Sequence, residues 1–293
     1  MKKAFVQLHI AVFLAGFTAI LGKLIELNEG LLVAYRLLIT VVILGVVMLI
    51  KGELKRIPMK DIIKTSAVGM VIAIHWVCFY GSIKYANVSV GLVCLSAAGF
   101  FTAVFEPLIL KKKFIVAELL IGLVAIAGIY LIFDFYPEYK TGIIFGLVSS
   151  LCSSLFPIFN KQLINRFSAK TLTLYELGGG LIGMLFLLPL YLYQFPAEYY
   201  LPTAADWGWL LILAVLCTIV CFDLQLNALK KISAFTANLA YNLEPVYGII
   251  LAFLIFHENK MLHKEFFMGL ALIMGAVLLQ MVRVWRGRRF IGN

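Results

Sequence analysis

Glu118-Leu-Leu-Ile-Gly122-Leu123-Val-Ala-Ile126-Ala-Gly128-Ile-Tyr-Leu131 returns later in the chain, without a gap, as Glu265-Phe-Phe-Met-Gly269-Leu270-Ala-Leu-Ile273-Met-Gly275-Ala-Val-Leu278. The first stretch lies in the fifth of ten apolar segments and the second in the tenth. Shorter echoes keep the same order. Tyr35-Arg36-Leu37 opens the second segment and Tyr175-Glu176-Leu177 the seventh; Lys84 precedes the fourth and Lys231 the ninth; Lys23 and Lys161 end the first and sixth. The chain therefore reads as two five-helix repeats, residues 1–137 and 138–293, joined near 134–141. Five crossings are an odd number, so the second repeat is inverted relative to the first.

Composition supports membrane crossing. Of 293 residues, 63% are hydrophobic and 14% charged, and the mean hydropathy is +1.00. A soluble chain of this size cannot hide so much apolar surface. The segments fall at about 4–22, 31–50, 62–83, 88–110, 115–133, 142–160, 171–193, 207–229, 233–256 and 265–284. Each is long enough to cross roughly 30 Å of hydrocarbon as a helix. None alternates with period two, which argues against a barrel. The fold class expected is all-α polytopic, with ten transmembrane helices. The first segment follows Lys2 and Lys3 but ends in no small-residue cleavage site, so it reads as a retained helix. The five cysteines all fall within apolar segments. That pattern suits packing and fits neither a disulfide framework nor a metal site.

The net charge of +10 is a topology signal. With the N-terminus in the cytoplasm, 19 of the 25 lysines and arginines fall on the cytoplasmic side, around residues 2–3, 51–64, 111–113, 161–170, 230–231 and 283–289. Most acids fall on the other side. This positive-inside bias places both termini in the cytoplasm, and it speaks against a nucleic-acid surface. Trp207, Trp209 and Trp285 sit near segment ends, as interfacial indoles do; Trp76 does not.

The sequence resembles the drug/metabolite transporter superfamily in its EamA-like branch. The likeness is carried by Tyr35-Arg36-Leu37-Leu38, by the run from Ser233 to Glu244-Pro245, and by the tenth-segment pattern. It implies a central cavity lined by segments one to four and six to nine, with the fifth and tenth as peripheral supports or a dimer contact. It also implies a monomer or homodimer in a bacterial inner membrane, exporting its substrate. One departure stands out: Ala98 occupies the position paired with Pro245, and Pro107 lies lower in the fourth segment. On that reading the fourth and ninth segments bend differently.

Ionisable groups inside a bilayer cost roughly 2.5–3.5 kcal/mol each at the centre, so each needs a reason. Glu244 leads: Pro245 follows it, and Asn238, Tyr241 and Asn242 add a wide polar arc. His75, Trp76 and Tyr80 form a mid-segment group, in which imidazole can carry a proton and the aromatic pair can hold an apolar or cationic moiety. Arg36 can clamp a carboxylate or phosphate. The substrate-site candidates are thus Arg36, His75, Trp76, Tyr80, Asn238, Tyr241, Asn242 and Glu244, with Glu244 and His75 also as proton carriers. Each has a plain structural alternative: Glu244 as a protonated helix contact, His75 bonded to a carbonyl, Arg36 snorkelling outward. Pro157, Glu176, Gly178, Gly179, Gly180 and Pro245 are candidates for gating or hinge motion. Neither cofactor nor metal is expected.

Inverted repeats are a common architecture of secondary transporters that work by alternating access. A small metabolite, such as an amino acid, suits a site offering both aromatic and polar groups. A lipid-handling carrier is the alternative. A membrane-embedded enzyme is disfavoured, because neither HExxH nor GxSxG occurs.

Overall fold

A computed structural model describes residues 2–164, 166–229, 240–241 and 243–289. Asn238, Asn242 and Lys231 lie outside the described residues, as do the side chains of Lys161 and Trp285. The helices, in order, are α1 (Lys2–Leu24), α2 (Glu29–Ile50), α3 (Met59–Tyr85), α4 (Val88–Leu95), α5 (Ala98–Leu110), α6 (Val116–Phe135), α7 (Lys140–Leu163), α8 (Ala169–Gln194), α9 (Ala204–Ala214), α10 (Cys221–Leu229), α11 (Glu244–Phe256) and α12 (Lys264–Arg289). A π-helical segment, Val215–Val220, joins α9 to α10. Among the described residues, nine helical spans, with α4–α5 and α9–α10 each counted as one, are long and apolar enough to cross a bilayer, and α11 belongs to a tenth apolar segment. The protein is an all-helical, multi-pass membrane protein of two five-segment repeats.

The repeats interlock. In one direction α3 packs on α7 and α8; in the other, α1 and α2 pack on α9 and α10. The apolar outer faces, including Leu187, Leu190 and Phe186, remain exposed, as lipid-facing surface is. Polar side chains cap the entries: Asn28 accepts from Gly30, Asn87 from Val90, Ser168 from Thr171, and Thr203 and Asp206 form a reciprocal capping box. Each satisfies amides that the first helical turn leaves open.

The fifth and tenth segments form the support expected of them. α6 and α12 cross where Gly128 and Gly269 meet. A Cβ on Gly128 would lie 2.7 Å from the Gly269 carbonyl oxygen, and one on Gly269 would lie 2.6 Å from that of Gly128. The close crossing admits only glycine there. Arg283 of α12 pairs with Glu118 of α6 beyond the apolar stretch.

The expectation of unequal bending falls largely on residues of the ninth segment outside the described ones; the described turns are alike in hydrogen bonding. The fourth segment is interrupted between α4 and α5, where the amides of Ser96 and Ala97 donate to the carbonyls of Val93 and Cys94 at 3.1 and 3.0 Å. In the ninth, the amide of Leu243 donates to the Ala240 carbonyl at 3.0 Å just before α11. Both are the tight i→i−3 turn. The helices that follow each have 13 residues and end on a left-handed residue, Lys111 and His257. Ala98 and Glu244 open the two helices, so Pro245 is one residue inside, where a proline is tolerated. In the fourth segment Ser96 turns its hydroxyl back toward the Leu92 carbonyl at 3.5 Å, a type of contact that often bends helices.

Candidate functional site

Arg36 and Glu176, the pair picked out by the repeat, occupy matching places. Each is the eighth residue of its helix, α2 and α8. At 1.5 Å per residue, each lies about 10 Å in from its helix start, and the two starts face opposite sides of the membrane. Arg36 is 2% exposed and Glu176 1%. Glu176 is therefore inside the bundle and not at a mouth.

Arg36 does not snorkel. Its guanidinium stacks over the Trp76 ring at 3.6 Å from the ring centre. Nη1 donates to the Tyr80 hydroxyl at 2.6 Å, Nε to Thr218 Oγ1 at 2.9 Å, and Nη2 reaches the Cys217 carbonyl at 3.4 Å. All these partners are neutral. Among the described residues no carboxylate pairs with Arg36, and guanidinium cannot shed its proton. Removing such an ion from water costs several kcal/mol even after relaxation, and hydrogen bonds to a charged group return roughly 1.5–3 kcal/mol each. The site thus holds a cation by polar and aromatic contacts and leaves its charge unmatched. One turn along α2, Thr40 buries a hydroxyl with no partner.

Local sequence explains the placement. Trp76 and Tyr80 are one turn apart on α3 and share a face. Gly22 of α1 leaves room for the Tyr80 ring, which a Cβ there would overlap. Phe222 meets Trp76 edge-on at 6.3 Å. The π-segment supplies the rest. There the Leu213 carbonyl accepts from Thr218 Oγ1 at 2.9 Å, which leaves that oxygen's lone pairs free to accept from Arg36. Such π-bulges are frequent at functional sites. Thr218 and Cys217 were not among the sequence candidates. The available signal was Thr218 itself, the lone hydroxyl between Trp209 and Asp223.

The other candidates are distributed around this cluster. His75 turns away from it, toward α7. Ser149 Oγ donates to the His75 carbonyl at 3.0 Å, and His75 Nδ1 lies 2.9 Å from both the Ser149 carbonyl and its hydroxyl. That pattern suits a ring protonated at Nδ1, with Phe79 stacked on it at 6.1 Å. Glu244 is half-buried at the first residue of α11, where the helix dipole favours a carboxylate. Its backbone lies against Gly16 of α1. Cys221 is within electrostatic reach of both Arg36 and Glu244, and Tyr241 lies beside Cys221. Pro157 lies inside α7. Gly179 and Gly180 press on Ser66 and Gly69 of α3, whereas Gly178 faces open space.

The EamA-like transporter family matches residues 2–134 and 140–282. Among similar proteins, the uncharacterized transporter YetK of Bacillus subtilis (strain 168) is 24% identical over 96% of this chain and 87% of its own length. An uncharacterized transporter of Clostridium kluyveri is 22% identical over 88% of this chain and 87% of its own. A protein crystal structure superposes with a TM-score of 0.65 over 96% of this chain and 98% of that one, at 15% identity, and so shares the fold.

Proposed function

Because the chain belongs to the EamA-like transporter family, we propose that it is a secondary transporter that exports small amphiphilic metabolites, amino acids or related compounds, across a bacterial inner membrane with both termini in the cytoplasm. The observation that carries the substrate reading is the buried Arg36 guanidinium, which has no carboxylate partner among the described residues. A substrate carboxylate supplies the missing charge, and a planar fork suits a planar anion. Trp76 and Tyr80 then flank the apolar part of the substrate. Glu244, within electrostatic reach of the same Cys221, offers a partner for an amino group. Alternating access follows from the repeat: one face opens as the segments of one repeat rock against the other, while the midplane site stays in place.

Counterflow of labelled amino acids in proteoliposomes tests this reading. The intact protein should exchange label, and Arg36→Ala and Trp76→Ala should abolish exchange while eluting as folded protein. Arg36→Lys keeps the charge but loses the fork, so it should retain weak exchange with a raised KM. Normal exchange in both alanine variants would remove the site from this location.

A further inference from the structure

Glu176 is buried with a defect that one proton repairs. Asn160 of α7 donates from Nδ2 to Glu176 Oε2 at 3.4 Å. Glu176 Oε1 and Asn160 Oδ1 are both buried acceptors with no donor among the described residues. An ionised carboxylate beside an amide always leaves this arrangement. The amide has one donating side and the carboxylate has none, so turning the amide over moves the orphan oxygens without satisfying them. Native structures rarely keep two such groups together, since each unpaired buried acceptor costs about 1–3 kcal/mol. A carboxylic acid resolves both. Its O–H donates to the amide oxygen while the amide N–H donates to its carbonyl, a closed acid–amide pair.

We propose that Glu176 and Asn160 form a proton-binding site, occupied as a neutral acid–amide pair in this conformation. Among the described residues, no cation pairs with Glu176. α8 packs on α3, α2 and α10, and Asn160 reaches it from α7. On α3, Asp61 is paired with Arg166, His75 is bonded to Ser149, Lys64 is exposed, and Cys78 is a buried thiol. On α2, Arg36 is engaged by Thr218 and Tyr80, and Glu29 accepts from Tyr191. On α7, among the described side chains, Cys152 is a half-buried free thiol, and Asp223 of α10 lies within electrostatic reach of Lys170. None of these groups bonds to Glu176. A hard metal cation takes roughly six or more oxygens, and this site presents two orphans.

The site also has a means of release. Glu176 sits at the tightest approach of α3 and α8: a Cβ on Gly69 would overlap the Glu176 carbonyl oxygen, and one on Gly180 would lie 2.5 Å from the Gly69 carbonyl oxygen. Parting these helices admits water to Glu176 and removes the cost of ionising it. A transporter that cycles through such a parting binds the proton in one state and yields it in the other. This coupling rests on the transport reading; the proton site does not. It also gives the repeat a chemical sense. The two matching positions hold a permanent cation, Arg36, and an acid able to switch its charge.

Infrared difference spectra of the full-length protein in lipid, recorded across neutral pH, test the site with the proton itself as probe. The wild type should show the carbonyl band of a protonated carboxyl at neutral pH. That band should disappear in Glu176→Gln, whose amide keeps a donor in place, and persist in Glu244→Gln. Asn160→Leu retains the acid but removes its partner, so the band should shift in frequency. A wild-type spectrum unchanged by Glu176→Gln, or a band unmoved by Asn160→Leu, overturns the proposal. Coupling is read separately, as the ratio of pH-gradient-driven accumulation to counterflow of labelled amino acids. That ratio should fall about tenfold in Glu176→Gln, and an unchanged ratio overturns the coupling. Absence of all amino-acid flux, with the infrared result as expected, rejects the substrate reading and leaves the proton site standing.

Discussion

At the scale of single residues, the site is a balance between one charge and its neutral partners. The Tyr80 hydroxyl accepts from Arg36 Nη1 at 2.6 Å, while its ring is held by packing against Gly22. Tyr80→Phe therefore removes the hydrogen bond and keeps the shape. A bond to a charged group is worth roughly 1.5–3 kcal/mol, so thermal stability should fall by up to about that amount, and amino-acid affinity in the counterflow assay should weaken as the guanidinium loses its positioning contact. Loss of stability with affinity unchanged would instead make Tyr80 a packing residue. Arg36 and Trp76 were legible in the sequence because a charge and an indole deep in an apolar run demand a reason. Their direct contact was not, since it joins α2 to α3 by the crossing of two helices and not by any spacing along one. Thr218 was harder still, because a π-bulge changes the helical phase and no residue type announces it. His75 shows the converse limit: sequence placed it beside Trp76, and one residue of helical rotation turns it toward Ser149 of α7.

At the scale of elements, glycines record where helices meet. The run Gly178-Gly179-Gly180 reads as one flexible stretch, yet its members face different things. A Cβ at Gly180 would lie 2.5 Å from the Gly69 carbonyl oxygen, and one at Gly178 would meet nothing within 4 Å. Gly180→Ala should lower thermal stability by an overpacking cost of about 1–3 kcal/mol. Gly178→Ala should be neutral or slightly stabilising, since alanine in a helix gains roughly 0.5–1 kcal/mol over glycine. Thermal unfolding in detergent compares the two, and equal destabilisation would mean that flexibility, and not close approach, explains the run. The count and length of the segments, and the support formed by α6 and α12, were readable because hydropathy and the Glu118/Glu265 register are written along the chain. The break in the fourth segment was missed for a physical reason. Proline is the breaker that sequence advertises, whereas Ser96, whose hydroxyl turns back toward Leu92, is an ordinary residue.

At the scale of the whole molecule, the inverted repeat places related latches on opposite faces. On the face that holds the termini, Asp61 at the start of α3 accepts both guanidinium nitrogens of Arg166, from the α7–α8 connection, at 2.8 and 2.9 Å. Lys170 donates to Glu53 at 2.7 Å and holds that carboxyl below its ordinary value. On the other face, Asp206 at the start of α9 accepts from the Glu26 amide, in the α1–α2 connection, at 3.0 Å. Glu258, 1% exposed, joins Lys23 at 2.8 Å to the amides of Val88 and Ser89 at 3.1 and 2.9 Å. Each latch ties one repeat to the other, so each resists opening on its own side only. Breaking one should shift the population toward the state open on that face, by a few-fold for a bidentate but partly exposed pair. In a background without native cysteines, Thr65→Cys lies one turn behind Asp61 and Ser82→Cys lies toward the opposite end of α3; both positions are buried. Asp61→Asn should expose the first to a membrane-impermeant maleimide and leave the second protected. Glu258→Gln should do the reverse. The exchanged pair Asp61→Arg with Arg166→Asp should restore protection at Thr65→Cys, which separates loss of the latch from loss of the fold. Acid acts on the first face through Glu53. Its lowered value means the Lys170 contact stabilises above the unfolded carboxyl range and is lost as the pH falls through the folded value. If both probes respond alike to either single variant, the latches report general loosening and the two faces do not open in alternation.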